Sequence, residues 1–218
     1  MNMNMNRRHF SSALLGLSGA ALLMAAPAEA QGPAPTEGKE YLRVESPQPP
    51  RDAGKIEVIE FFSYACPHCS SFEPLLSAWA KQLPADVVVR RVPVTFLMNA
   101  ENFQRTYYAL ETIGAVDALQ PKIFRAIHID RIRLEKPEDI AEFVGKNGGD
   151  AAKFMAAFKS FSVATAMNRG KKSMADFKIE SVPMLVVGGR YVTSPLQANG
   201  STQALTVADW LIQKTRKG

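Results

Sequence analysis

The sequence predicts an α/β protein whose sheet is interrupted by a block of helices, and three observations carry that reading. A β-prone run at residues 56–62, Ile-Glu-Val-Ile-Glu-Phe-Phe, precedes a helix-spaced pattern and a second run, Val87-Val88-Val89-Arg90-Arg91-Val92. From about residue 99 to about residue 178 no segment has strand character. Beyond it, Met184-Leu185-Val186-Val187 and Arg190-Tyr191-Val192-Thr193 flank Gly188-Gly189, the composition of a tight hairpin. A strand, helix and strand of these lengths predict a right-handed βαβ unit. The later strands must then rejoin the same sheet.

Taken in order, the chain opens with Arg7, Arg8 and His9, an apolar stretch from Phe10 to Met24, and Ala28-Glu29-Ala30. This is the layout of a cleaved signal peptide over residues 1–30, too short and too rich in Gly and Ser for a membrane span. Arg7-Arg8 ahead of the apolar core also fits a twin-arginine signal; by either that or the general secretory route the chain leaves the cytoplasm. Residues 31–50, rich in Pro and Gly, read as a linker holding one possible edge strand, Tyr41-Leu42-Arg43-Val44. The sheet domain is expected in two parts, residues 51–98 and 179–218, around a helical insertion at 99–178.

The helix after the first strand is expected from about Cys66 to Gln82, with Phe72, Leu75, Leu76 and Trp79 on its buried face and a kink at Pro74. Within the insertion, helical patterns fall near 101–114, 118–129, 137–146, 150–160 and 162–177, punctuated by Gly114, Pro137 and Gly148-Gly149. A last amphipathic helix is expected at about 203–215, with Leu205, Ala208, Leu211 and Ile212 inward.

The apolar fraction of 46% and charged fraction of 22% suit a soluble globular chain. Removing residues 1–30 takes away Arg7, Arg8 and Glu29, so the net charge falls only from +5 to +4. No basic run is longer than two residues such as Lys171-Lys172, which argues against nucleic-acid binding.

The chemistry points to the only two cysteines, Cys66 and Cys69, placed where the strand gives way to a helix. Half a zinc site is one reading of the spacing. Zinc needs about four ligands, however, and beyond the leader only His68 and His128 remain as histidines. A purely structural bridge is another, but one closing so short a loop adds little stability. Redox chemistry is the stronger reading. Cys66 would sit at a helix N-terminus, where unpaired N–H groups and the dipole stabilise a thiolate. Cys69, one turn further in, would be less exposed and able to close on it. Favouring the Cys66 thiolate favours the reduced pair, so the disulfide is readily given away.

Glu60-Phe61-Phe62-Ser63-Tyr64-Ala65-Cys66-Pro67-His68-Cys69, with Val182-Pro183 far downstream, resembles the DsbA family of periplasmic thiol:disulfide oxidoreductases. A looser match runs from Gly38-Lys39-Glu40-Tyr41 to the last helix. The resemblance implies a thioredoxin fold with an inserted all-helical domain, and a strongly acidified cysteine. It implies catalytic roles for Cys66, Cys69, His68 and Pro67, with His68 placing positive charge or a donor near the Cys66 sulfur. Pro183 is implied to be cis and to face the cysteines, leaving the Val182 backbone to pair with an extended substrate chain.

Glu60 is implied to be the buried acid that moves protons to and from the inner cysteine. Arg91 stands where family members often carry Lys. An arginine does not readily release a proton, so a Glu60–Arg91 pair would be a fixed charge. The other reading of Glu60 is an edge-strand carboxylate facing water. Phe96, Leu97, Met98 and Met184 are either core or the soft lining of a groove for unfolded chains. The implied partners are reduced, unfolded exported proteins and a quinone-linked membrane oxidase of the DsbB type. The implied state is a monomer with no metal and no cofactor beyond its own disulfide. A disulfide isomerase or reductase of the same fold is the alternative, though exported isomerases usually carry an N-terminal dimerisation domain for which residues 31–50 are too short. A non-catalytic scaffold with a fixed Cys66–Cys69 bridge is the third.

Overall fold

The computed structural model describes residues 33–217. The leader expected at residues 1–30 lies outside the described residues. Five strands form one mixed sheet: β1 (Leu42–Arg43), β2 (Ile56–Phe62), β3 (Val87–Pro93), β4 (Met184–Val187) and β5 (Tyr191–Thr193), in the spatial order β1-β5-β4-β2-β3. The strand suspected in the linker is β1, an antiparallel edge partner of β5. β2 lies inside the sheet, parallel to β3 and antiparallel to β4. A strand covered on both faces needs apolar residues on both, which is why residues 56–62 read as a nearly continuous run.

Two glutamates break that run, and the register shows how each is accommodated. Side chains alternate across a strand, so Val58, Glu60 and Phe62 share one face while Glu57, Ile59 and Phe61 share the other. Glu60 lies opposite Arg91, and Glu57 accepts from Arg90 Nε at 2.8 Å. Alternation thus sends the two arginines to opposite faces, each with its own acid.

Helix α1 (Pro67–Ala80) covers the Val58–Glu60–Phe62 face together with α7 (Ser201–Arg216). Phe72 and Leu76 of α1 join Val58, Leu185, Ala208 and Leu211 in one core. Leu75, expected on that buried face, is 42% exposed, and Glu73 is buried in its place. The reason is that α1 packs against α3 (Val116–His128) as well as α7, which rotates the covered stripe toward residues 69, 72, 73 and 76. Pro74 lies within α1, which runs on through it.

The insertion consists of α2 (Ala100–Thr112), α3 (Val116–His128), α4 (Pro137–Lys146), α5 (Ala151–Phe158) and α6 (Phe161–Asp176). Its boundaries follow from local chemistry. Asp150 and Ser160 cap α5 and α6 by accepting from the N–H groups of Lys153 and Val163 at 3.0 and 3.2 Å. Pro137 occupies the first turn of α4, where a missing N–H costs nothing. The insertion's core does not stop at its own helices. Phe62 and Tyr64 from the end of β2 pack edge-on with Tyr107 and Phe103, and both approach Phe124. Each such aromatic side chain contributes roughly 2 kcal/mol by leaving water. Cys66 and Cys69 belong to the same cluster.

Strand directions gather the loops. β2 and β3 are parallel, so their C-terminal ends share one edge of the sheet; β4, antiparallel to β2, begins there, and β5 ends there. The segment after Phe62, the one before Met184, and the loops holding Phe96, Met98 and Leu196 therefore meet at one end of the molecule.

At the opposite end the β4–β5 turn needs two glycines. Gly188 and Gly189 have φ of 59° and 62°, and the Arg190 N–H donates to the Val187 carbonyl at 3.1 Å, closing a tight turn between the paired Val187 and Tyr191. A Cβ on Gly189 would also lie 1.9 Å from the Gln48 carbonyl oxygen. Gly189→Ala is therefore expected to cost at least about 2 kcal/mol in denaturant unfolding, from strain and collision together. Gly114→Ala, with positive φ but no atom within 4 Å of the new Cβ, should cost about 1 kcal/mol. Equal losses would refute the close approach to Gln48.

Candidate active site

Between β2 and α1 the chain makes a four-residue turn. The Cys66 N–H donates to the Ser63 carbonyl at 3.1 Å, and the Ala65 N–H donates to Ser63 Oγ at 3.1 Å. This turn sets Cys66 in an extended conformation as the N-cap of α1, with Pro67 at the first helical position. A cap residue normally offers an oxygen to the orphan N–H groups of the first turn. Here the acceptor is sulfur: Cys66 Sγ lies 3.2 Å from the Cys69 N–H, and the His68 N–H is also directed at it.

The two thiols are driven in opposite directions. Cys66 is brought down to about 6, first by the hydrogen bond from the Cys69 thiol, against the opposing cost of burial, and then by the Cys69 and His68 N–H groups and the His68 charge. Cys69, wholly buried, is pushed far up by desolvation, by its donation to the Cys66 sulfur and by that sulfur's charge. Cys66 retains a sliver of exposure, 5%, while His68 and Pro67 are exposed beside it. Cys66 is thus the reachable sulfur with the stable anion, and Cys69 is the protonated one behind it.

Across the sheet end, Val182 and Pro183 join through a cis peptide bond, and the Val182 carbonyl oxygen lies 3.7 Å from Cys66 Sγ. Two residues more than 110 positions apart are so brought against the reacting atom.

Glu60 is 1% exposed, which excludes the water-facing reading. Arg91 donates to it through Nε at 3.0 Å, and through Nη2 to Glu73 at 3.3 Å and Ser77 Oγ at 2.9 Å. Gln120 of α3 donates to the other Glu73 oxygen at 2.8 Å, and the Tyr64 hydroxyl reaches Gln120 at 3.4 Å. Two carboxylates thus share one guanidinium in a dry site. Burial pushes Glu60 up to about 8; the Arg91 charge opposes this, while the Glu73 charge and the Cys66 thiolate add to it. Burial thus favours the protonated form of Glu60, against the pull of the Arg91 charge.

Glu73, Ser77, Gln120 and His128 were not singled out as site residues from the sequence. For Glu73 a signal existed: Cys66, Cys69, Glu73 and Ser77 recur at spacings of three and four, one stripe of α1. A carboxylate on the cysteine stripe marks a buried polar site. Gln120 and His128 carry no such mark, because tertiary packing alone brings α3 to this turn.

The thioredoxin family profile matches residues 51–206. The thiol:disulfide interchange protein DsbA of Bordetella parapertussis is 41% identical over 210 residues, covering 95% of this chain and 98% of its own. DsbA of Pseudomonas aeruginosa is 38% identical over 183 residues, covering 83% and 86%. The crystal structure of Pseudomonas aeruginosa DsbA superposes with a TM-score of 0.80 over 84% of this chain and 95% of that one, at 38% identity. The oxidoreductase NmDsbA1 of Neisseria meningitidis does so with a TM-score of 0.75, at 29% identity. Similarity of this depth over nearly the full described length places the chain in the DsbA branch of the thioredoxin family, the thiol:disulfide oxidoreductases.

Proposed function

We propose that the protein works in the periplasm as an oxidant, giving its Cys66–Cys69 disulfide to reduced exported polypeptides as they fold. The observation that carries this is the opposite displacement of the two thiols, which stabilises the reduced pair and makes the disulfide a strong donor. A substrate thiolate attacks Cys66 Sγ, the S–S bond breaks, and Cys69 leaves with the electron pair and takes a proton. A second substrate thiolate then attacks the substrate sulfur of the mixed disulfide and expels Cys66 as a thiolate. Two substrate thiols are oxidised and one disulfide reduced; of the two protons, one stays on Cys69 and one goes to solvent.

The neighbouring groups have separable roles. Pro67 starts the helix without spending an N–H, and His68 adds positive charge beside the Cys66 sulfur. Glu60 relays a proton to the departing Cys69, is reprotonated from the substrate thiols, and takes the Cys69 proton out again on reoxidation. Arg91 keeps its proton and acts as the fixed charge that holds Glu60 and Glu73. The Val182 backbone, beside the mixed disulfide, pairs with an extended client chain. Phe96, Met98 and Leu196, with exposures of 43, 81 and 90%, offer unfolded chains an apolar surface at the same end. Residues 51–98 and 179–218 form the redox domain and 99–178 its helical cover; the protein acts as a monomer, is exported through residues 1–30, and is reoxidised by a DsbB-like quinone-linked membrane oxidase.

Cys66→Ser is expected to abolish oxidation of a reduced, unfolded test protein, followed by its regained activity; undiminished oxidation would end this mechanism. Thiolate absorbance at 240 nm should titrate near pH 6 in the reduced protein. A thiol lowered by folding adds stability that is complete above its ordinary value near 9 and is lost as pH falls through about 6. Unfolding of the reduced form should therefore become harder relative to the oxidised form from pH 6 upward, and parallel curves would contradict a stabilised thiolate. Glu60 has the reverse sign. A carboxyl raised by folding contributes stability that is lost as pH climbs from about 4.5 to about 8. Glu60→Gln in the oxidised protein should flatten that decline, and an unaltered slope would place the buried proton elsewhere.

A further inference from the structure

One contact to the reactive turn comes from outside the sheet domain and has no part in the chemistry above. His128, the last residue of α3, places Nε2 2.8 Å from the backbone carbonyl oxygen of Tyr64, and its ring stacks on Phe124. Tyr64 is the second residue of the Ser63–Cys66 turn. Its carbonyl faces His128, while the N–H of the same peptide unit, on Ala65, is already held by Ser63 Oγ. A carbonyl oxygen has no proton to give, so at this distance the proton must sit on Nε2. Both ends of the Tyr64–Ala65 peptide are thus fixed, one by the turn itself and the other by the helical insertion.

We propose that His128 is a positioning residue for the reacting sulfur: its Nε2–H clamps the Tyr64 carbonyl and so holds Cys66 where the N–H groups of His68 and Cys69 point at Sγ. The inference rests on the oxidoreductase reading of Cys66 and extends it to a residue of the insertion. The clamp is directional. Cys66 Sγ accepts at 3.2 Å from the Cys69 N–H, a contact that a rotation of the preceding peptide would lengthen or misalign. The Tyr64 ring is locked among Phe62, Phe103 and Phe124, so the one freedom left to this segment is rotation of its peptide plane, which the imidazole removes. The clamp needs a hydrogen donor at the Nε2 position and no charge. Glutamine, whose side-chain amide nitrogen reaches about as far as Nε2, is its conservative replacement.

Three measurements on the whole protein test this. In the reduced wild-type protein, ¹⁵N shifts of the His128 ring should show Nε2 protonated throughout pH 5–8; an unprotonated Nε2 in the neutral ring overturns the clamp without any variant having to fold. His128→Ala should move the 240 nm thiolate titration upward by about half a pH unit, the scale of one lost neutral hydrogen bond, and slow oxidation of a reduced test protein severalfold. His128→Gln should restore both. An unmoved titration in His128→Ala, or a shift that Gln leaves in place, overturns the proposal. Failure of the wild-type protein itself to oxidise the test protein would instead strike the functional reading, since the ¹⁵N and 240 nm results do not depend on turnover.

Discussion

A sulfur atom in the place of a helix-capping oxygen is the constraint on which the rest of this structure turns. The first turn of any helix has N–H groups with no intrahelical partner, and here the Cys66 sulfur takes one of them at 3.2 Å. An anion there is stabilised by geometry that the backbone must adopt anyway. The surrounding residues make that geometry unavoidable. Pro67 starts the helix, the Ser63 turn sets the approach, and the Val182 carbonyl closes the far side. The partner sulfur one turn on receives the opposite treatment, full burial beside an anion. The asymmetry between two identical side chains comes almost entirely from their positions on one helix.

Behind the cysteines lies a second constraint, the buried Glu60–Arg91–Glu73 trio. Desolvating two carboxylates beside a single guanidinium leaves one negative charge too many, and burial accordingly pushes Glu60 up. Arginine suits such an arrangement because its planar fork donates to both acids and to Ser77 at once. A lysine would present a point charge able to release its proton.

Much of this was legible in the sequence, for reasons that differ by element. β2 announces itself because a strand covered on both faces must be largely apolar, β3 by its β-branched Val87-Val88-Val89 run, and the β4–β5 hairpin by the glycines of its tight turn. The helices of the insertion appear within two or three residues of their expected limits because Gly114, Pro137 and Gly148-Gly149 punctuate the helical patterns. Cys66, Cys69 and Pro183 are visible as motif residues, and Glu60 as a charge where none belongs. The error at Leu75 shows what periodicity omits. Spacing of three and four identifies a stripe, but α1 is covered by two neighbours, and the direction of the second, α3, rotates the buried side toward Glu73. Gln120 and His128 are less legible still. Each is an ordinary polar residue whose significance arises from which carbonyl or carboxylate lies across the interface, a distance the local sequence does not encode.

The direction of the strands has one further consequence. β3 runs with β2 and β4 against it, so the chain leaves the sheet and returns to it at the edge where the sulfurs lie. The insertion is therefore a cap whose two stems both stand at the reactive rim. Residues can be exchanged, added or removed across its outer helices while strand pairing at the other rim stays undisturbed. Selection on what the protein meets is in this way separated from selection on how it folds, and the boundary between the two runs through the aromatic cluster that seats α3 against Tyr64.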